Sequence, residues 1–145
     1  MKKLYLALLV LAISFSANSQ FMLGRLPTRE QRLNAEYCSG AFDTQEGIYF
    51  DLINDTQAIG ATSYQNVLDW LEGRVAGLQV YKTRSDVRIP FIRNSLAGIY
   101  VDEIWREPDF LNSLPVAEIA MIKVIKGPFH GGFNSPGGAI AIYTK

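Results

Sequence analysis

The stretch Ile119-Ala120-Met121-Ile122-Lys123-Val124-Ile125 is the most regular part of the chain and is apolar at every position except Lys123. A strand that is apolar on both of its alternating faces is typical of the centre of a sheet covered on two sides. Gly127-Pro128 ends this run. A glycine-rich loop over 130–138 follows, and the β-branched run 139–144 predicts a closing strand.

Upstream of this run the sequence predicts one firm helix. Apolar residues at helical spacing form a single stripe made of Val67, Leu68, Trp70, Leu71 and Val75. We expect the helix to begin after Thr62-Ser63, a pair able to cap it. Gly73 interrupts the stripe, and Gly77 provides the residue with which many helices stop.

Three further strands and two loops are predicted between this helix and the central run. Residues 78–83 alternate with a period of two, which is typical of a strand. The alternating segment 87–93 contains Pro90, which predicts an edge strand or a bulge because proline cannot donate to a ladder. Ile99-Tyr100-Val101 predicts another strand, followed by a loop at Pro108 and a short helical piece over 116–118.

The N-terminus has the layout of a secretory signal peptide. Two lysines after Met1 precede an uncharged apolar stretch over 4–15, and Ala17 and Ser19 supply small residues before a cut at Gln20. The alternative, a membrane anchor, would need about 20 apolar residues. We therefore expect a signal peptide over 1–19, a lead-in segment over 20–61 and a domain over 62–145.

The predicted lead-in segment is polar and weakly periodic at first, which indicates either a flexible segment or a short helix. Residues 47–53 are aromatic and β-branched and predict a strand. Cys38 is the only cysteine of the chain, so we expect a small buried hydrophobe or, alternatively, a thiol for intermolecular pairing. Its distance from the predicted cut argues against a lipid anchor.

Composition and motifs exclude several function classes. Without the signal peptide the chain would hold 12 basic and 14 acidic residues, a net charge of −2, and the basic residues form no nucleic-acid motif. One histidine and one cysteine are too few for a typical metal site, and we expect no metal or other cofactor. The loop at His130 lacks a nucleophile elbow, and Asp102 and Glu103 are neighbours that point to opposite faces of a strand. We therefore expect no enzymatic activity.

Four pieces of the sequence, in this order, resemble the plug domain of TonB-dependent outer-membrane transporters. The pieces are Leu71-Glu72-Gly73-Arg74-Val75-Ala76-Gly77-Leu78-Gln79-Val80, Ile99-Tyr100-Val101-Asp102, Ile122-Lys123-Val124-Ile125-Lys126-Gly127-Pro128 and Gly137-Gly138-Ala139-Ile140-Ala141-Ile142. The resemblance implies an α+β fold, a plug-like mixed sheet of about four strands with short flanking helices, normally lodged in a barrel. The chain is too short to add that barrel, so we expect no pore from it alone.

The sequence departs from the family at two turns. Arg93-Asn94 replaces an arginine-glycine step, and His130-Gly131-Gly132-Phe133 stands where a tyrosine-glycine pair is usual. The family's ligand contacts are therefore not carried over to this chain. A segment that pairs with TonB is not identified within 20–61.

The resemblance implies an exported interaction module in the periplasm or at the periplasmic face of the outer membrane, acting with a separate β-barrel, a TonB-type protein or another envelope partner. The alternatives are a periplasmic carrier or sensor, binding a small ligand in loops 95–98, 105–109 and 130–138, and a remnant of a truncated transporter. Candidate interaction residues are Arg93, Asn94, Ser95, Trp105, Arg106, His130, Phe133 and Asn134. Structural turns are expected at Gly73, Gly77, Gly127, Pro128, Gly137 and Gly138.

Overall fold

The computed structural model describes residues 26–129 and 135–145. The predicted signal peptide and the interaction residues His130, Phe133 and Asn134 lie outside this part of the chain. Within it, no helix has the length and apolar character required to cross a membrane.

Seven strands of the described residues form one mixed sheet with the order β1-β6-β7-β4-β3-β2, and β5 pairs with β4. The strands are β1 (Ile48–Asp51), β2 (Leu78–Lys82), β3 (Arg88–Ile92), β4 (Ser95–Val101), β5 (Ile104–Arg106), β6 (Ile119–Lys126) and β7 (Gly138–Thr144). The α-helices are α1 (Arg29–Tyr37) and α2 (Val67–Leu71). Single-turn or 3₁₀ segments lie at Gly40–Phe42, Thr56–Ser63, Pro108–Asn112 and Val116–Glu118.

The expected α+β class with a mixed sheet and short helices is confirmed. The sheet has more strands than the four or so that the resemblance implies. The strand that sequence reasoning missed is β5, because three residues are too few to show an alternating pattern. The predicted turn glycines lie between α2 and β2, after β6 and at the start of β7.

β6 lies inside the sheet, next to the edge strand β1, and not at its centre. It pairs antiparallel with both β1 and β7, and β7 also pairs parallel with β4. One face packs on α2 and the 3₁₀ segments, with Ile122 and Val124 in that core. The other face carries Met121 and Ile125, which lie in a second core with Leu33 of α1. Both faces are therefore covered, as the doubly apolar pattern indicates.

Lys123 is fully buried in β6 and joins this strand to the N-terminal segment. Its Nζ donates to Asn34 Oδ1 at 2.6 Å, to the Phe42 carbonyl at 2.7 Å and to the Thr44 carbonyl at 2.6 Å. Burial lowers the pKa of Lys123 from its ordinary value. The three acceptors match the three donors of an ammonium group, so the only charged position of the central run is satisfied inside the fold.

Helix α2 begins three residues later than predicted. Its N-cap is Asn66, whose side chain accepts from the Leu68 N–H at 2.9 Å. Thr62 and Ser63 instead end the 3₁₀ segment Thr56–Ser63. The cap forms at the last polar residue before the apolar run, because an amide oxygen there reaches the free N–H groups of the first turn.

The prediction of an edge strand or a bulge at Pro90 is wrong, because β2 forms the edge, β3 lies inside it and the β3 ladders have no register shift. Pro90 lies opposite Val80 in the β2–β3 ladder. The Val80 N–H donates to Glu72 Oε1 at 2.9 Å instead of to β3, so the missing N–H of Pro90 faces β4. There β4 pairs with β3 only at Ser95 and Leu96. An interior strand therefore carries proline where its second ladder stops.

Asp51 at the end of β1 predicts a pH dependence of stability. Burial raises the pKa of its carboxyl, but hydrogen bonds from Asn54 and Ile53 outweigh burial and lower the pKa below 3.8. The native state therefore binds fewer protons than the unfolded state, and this contribution is lost as pH falls through the lowered pKa. We expect Asp51→Asn to flatten the decline in unfolding free energy between about pH 5 and about pH 2. Urea unfolding at several pH values tests this, and parallel curves for both proteins would contradict it.

Candidate functional site

The first group of predicted interaction residues lies at the turn between β3 and β4. Arg93 and Asn94 are the two turn residues, with φ of +52° and +63°. Two successive positive φ angles are typical of a tight hairpin turn whose twist matches its strands. Ser95 begins β4 directly after the turn. Arginine thus holds a backbone conformation that glycine or asparagine adopts at lower cost.

The second group lies on β5, beside the C-terminal end of β4. Trp105 pairs with Tyr100 of β4, and Arg106 pairs with Ile99. The Trp105 ring is 43% exposed, and the Arg106 guanidinium carbon lies 4.9 Å from the centroid of the Phe110 ring. Arg106 Nε is buried and has no hydrogen-bond partner among the described residues.

The described end of the glycine-rich loop meets β4 on its other side. The Gly137 N–H donates to the Leu96 carbonyl at 2.9 Å, and Ser135 Oγ lies 3.3 Å from Tyr100 Oη. A Cβ at Gly98 would overlap Ser135 Oγ, so glycine is required for this close approach. The structure therefore brings the described parts of all three predicted loop regions together around β4.

A cavity of about 120 Å³ lies beside β4, where β3 and β5 leave a gap. It is lined by Leu96, Ala97, Gly98, Ile99, Trp105, Arg106 and Pro108. Trp105 and Arg106 are thus the only predicted interaction residues that line it among those the structure describes. Arg93, Asn94 and Ser95 lie at the neighbouring hairpin end.

An apolar surface that sequence reasoning missed extends from this cavity across β3 to β2. We call it the open face, made of Tyr81, Ile89, Phe91, Leu96 and Trp105, which share one side of the sheet by register. Tyr81 is 55% exposed, and its ring lies 5.3 Å from the Phe91 ring in an edge-on arrangement. The alternating pattern of 78–83 is the signal that could have revealed it.

The same side of the sheet is covered elsewhere. Over β4, β7 and β6 the rings of Phe42 and Phe129 pack on Tyr100, with Phe42 and Phe129 centroids 4.8 Å apart. This cover comes from the N-terminal segment and from the loop after β6. The described residues therefore leave β2, β3 and the Leu96 end of β4 without such a cover.

A cavity of about 490 Å³ lies away from the predicted interaction residues. Its lining includes Arg88, which is buried and whose Nε donates to the Asp69 carboxylate at 2.9 and 3.2 Å. Arg88 Nη1 donates to the Asp86 carbonyl at 3.0 Å and to Asn112 Oδ1 at 3.3 Å. Arg88 Nε and Nη1 are therefore engaged by groups of the protein itself.

Metal and thiol chemistry have little support in the described part of the chain. It contains no group of three or more His, Cys, Asp or Glu side chains that could hold a metal ion. Cys38 is half-buried against the second core, and burial raises the pKa of its thiol. A raised pKa favours the unreactive thiol form over the thiolate.

A scan against protein-family models and a search of curated proteins each found no match. Among solved structures, the chain is similar to part of the RagAB peptide importer, with 19% identity and a TM-score of 0.53 over 69% of this chain. It is also similar to part of the ferric enterobactin receptor PfeA from Pseudomonas aeruginosa, with 21% identity and a TM-score of 0.52 over 68%. The matches cover only 12% and 17% of those chains. At these identities the likeness is one of fold alone.

Proposed function

We propose that this chain is an exported, non-enzymatic, plug-like interaction module related to TonB-dependent transporters. It acts at the periplasmic face of the outer membrane, docked to a β-barrel or to another envelope partner. The observation that carries the proposal is the fold shared with a small portion of a peptide importer and of a ferric enterobactin receptor. The sequence resemblance supports it independently, because its four pieces fall on α2–β2, β4, β6 and β7.

The open face is the surface we propose for docking. It combines two aromatic side chains, Tyr81 and Trp105, with the apolar side chains of Ile89, Phe91 and Leu96. Exposed aromatic side chains clustered on one surface are typical of protein contacts. Truncating such an anchor at a binding hot spot weakens binding by about 2 kcal/mol or more.

The proposal is tested by affinity capture from a detergent extract of outer membranes. We expect the wild-type protein to retain one outer-membrane barrel at near-equal stoichiometry, measured by quantitative mass spectrometry. The amount of that barrel retained by the double variant Tyr81→Ser/Trp105→Ser is expected to fall by about tenfold or more, because the variant loses two aromatic anchors.

The matched control is Ile53→Ser/Tyr64→Ser, which removes two exposed apolar side chains outside the open face. Its exposures of 52% and 40% are close to the 55% and 43% of the test pair. Equal capture by the test variant and the wild type would contradict docking through the open face. Capture of no envelope protein by the wild type would contradict the interaction module itself.

A second candidate function, a periplasmic carrier of a small ligand, is favoured by the 490 Å³ cavity. This volume lies in the range typical of small-molecule sites. A carrier predicts a monomer that retains a small molecule in native mass spectrometry. The interaction module predicts the barrel complex instead, and the absence of both would favour a remnant without a selected activity.

A further inference from the structure

The outer edge of β2 carries backbone groups that no strand of the described residues pairs with. β2 is the last strand of the sheet, and its one ladder is with β3. Directly after β2, the Thr83 N–H donates to the Val87 carbonyl at 2.9 Å in the same register. Antiparallel ladders alternate between positions that hydrogen-bond inward and positions that do not. The backbone groups of Leu78, Val80 and Lys82 therefore point outward, away from β3.

A side chain holds the place of a neighbouring strand at the middle of this edge. Glu72 Oε1 accepts from the outward Val80 N–H at 2.9 Å. In a larger sheet this N–H would donate to a backbone carbonyl of the next strand. Charged side chains at an exposed edge protect it from unwanted strand pairing, and Glu72 and Lys82 supply them here. Because the Glu72 side chain is exposed, an incoming strand displaces it without opening the core.

The open face continues to this edge. Gln79 and Tyr81 lie on the open face by register, and Tyr81 is 55% exposed. On the other side of β2, Val80 is partly buried against the core that contains α2. An extended segment laid along β2 would thus place alternate side chains beside Tyr81 and beside Val80. Backbone pairing supplies affinity in such complexes, and the alternate side chains supply specificity.

The hydrogen-bonding pattern of the edge identifies the kind of occupant. Val80 and Lys82 offer an N–H and a carbonyl at every second position of an extended strand. Another extended backbone presents complementary groups at the same spacing. A helix satisfies its own backbone groups, so it has none to offer along its length. The edge therefore fits a strand-forming polypeptide.

We propose that an extended segment of the partner polypeptide adds to the sheet as a strand beside β2 and displaces Glu72 from the Val80 N–H. The added strand accepts from the Val80 and Lys82 N–H groups and donates to the outward carbonyls of Leu78 and Val80. This inference rests on the proposed function, because the docking partner supplies the segment. It specifies that the partner engages the edge with its backbone and the open face with its side chains.

The test is an NMR titration of the ¹⁵N-labelled protein with a blocked pentapeptide of alternating threonine and valine, a probe as long as β2. We expect saturable shifts of the Val80 and Lys82 amide signals and smaller shifts for Tyr81, whose N–H faces β3. The same peptide with every amide nitrogen methylated cannot donate, so its binding is expected to be roughly tenfold weaker or less. This comparison leaves the protein unchanged, and equal binding of both peptides would overturn the inference.

Two substitutions at the edge are expected to change peptide binding in opposite directions. Glu72→Ala removes the competing acceptor, so the peptide is expected to bind roughly tenfold more tightly. Val80→Pro removes the outward N–H and is expected to weaken binding roughly tenfold or more. Val80→Ala keeps the N–H, shortens the same side chain and is expected to bind like the wild type. Binding by Glu72→Ala no tighter than by the wild type, or equal binding by both Val80 variants, would show the inference to be wrong.

Barrel capture separates this inference from the proposed function. Capture by the wild type that is lost in Val80→Pro and kept in Val80→Ala supports both. Capture that is unchanged in Val80→Pro counts against strand addition alone. Peptide binding at the edge without capture of an envelope protein counts against the proposed function alone. A wild-type dimer in sedimentation velocity that Val80→Pro dissociates would assign the edge to a second copy of this chain and would overturn the inference.

Discussion

Lys123→Met is expected to lower the free energy of unfolding by about 3–5 kcal/mol, because three hydrogen bonds to a charged group are lost. Methionine fills much of the same volume, so the loss comes from hydrogen bonding and not from a large cavity. Asn34 Oδ1 and the carbonyls of Phe42 and Thr44 would lose their common donor inside the fold. Each lost bond to the ammonium costs about 1–2 kcal/mol, because the Phe42 carbonyl keeps the Thr44 N–H and the Tyr49 hydroxyl can still donate to Asn34 Oδ1 or to the Thr44 carbonyl.

The measurement is urea unfolding followed by circular dichroism, with Lys126→Met as the control. Lys126 ends the same strand and donates to one exposed carbonyl, that of Ala76, at 2.7 Å. We expect the control to cost less than about 1 kcal/mol. Hydrogen exchange should also show the greatest loss of protection in α1 and β1, which Lys123 holds against β6. A cost for Lys123→Met no larger than that of the control would contradict this role.

Gly138→Ala is expected to destabilise the protein by about 4 kcal/mol or more, enough to prevent folding of a domain of this size. Gly138 begins β7 with φ of +121°, which L side chains rarely adopt. A Cβ there would overlap the Ile125 carbonyl oxygen and crowd the backbone of Gly127 at 3.1 Å. Backbone atoms of paired strands cannot move aside as a flexible side chain can, so the clash would separate β7 from β6.

Two other glycines separate the cost of a positive φ angle from the cost of a steric clash. At Gly73, φ is +83° and no atom lies within 4 Å of an added Cβ, so Gly73→Ala is expected to cost only about 1–2 kcal/mol. Gly60 has neither a positive φ nor a neighbour within 4 Å, and Gly60→Ala is expected to change stability by less than about 1 kcal/mol. The melting temperatures of the three variants should decrease in the order Gly60→Ala, Gly73→Ala, Gly138→Ala. A Gly138→Ala protein as stable as Gly73→Ala would show that the backbone around β7 is not tightly packed.

Proline and polar residues show why some sequence predictions were wrong in detail. Pro90 predicts an edge strand or a bulge, but the side where its N–H is missing faces an interior neighbour, β4. Whether that side is an edge depends on which strand lies next to it, and this is a property of topology. Asn66 becomes the cap of α2 because its side chain, not that of Ser63, reaches the free N–H groups. Local sequence contains several polar residues able to do this.

The amino-acid sequence by itself determined the strands and the helix that carry strong periodicity. The doubly apolar run of β6, the closing strand β7 and the stripe that buries Trp70 all follow from side-chain spacing within a few residues. The tertiary structure alone decided which distant groups meet. Lys123 meets Asn34 across 89 positions, and Ile99 pairs with Ile140 in the parallel β4–β7 ladder. Periodicity records which side of an element is apolar, whereas the partner of a buried polar group depends on how the whole chain closes around it.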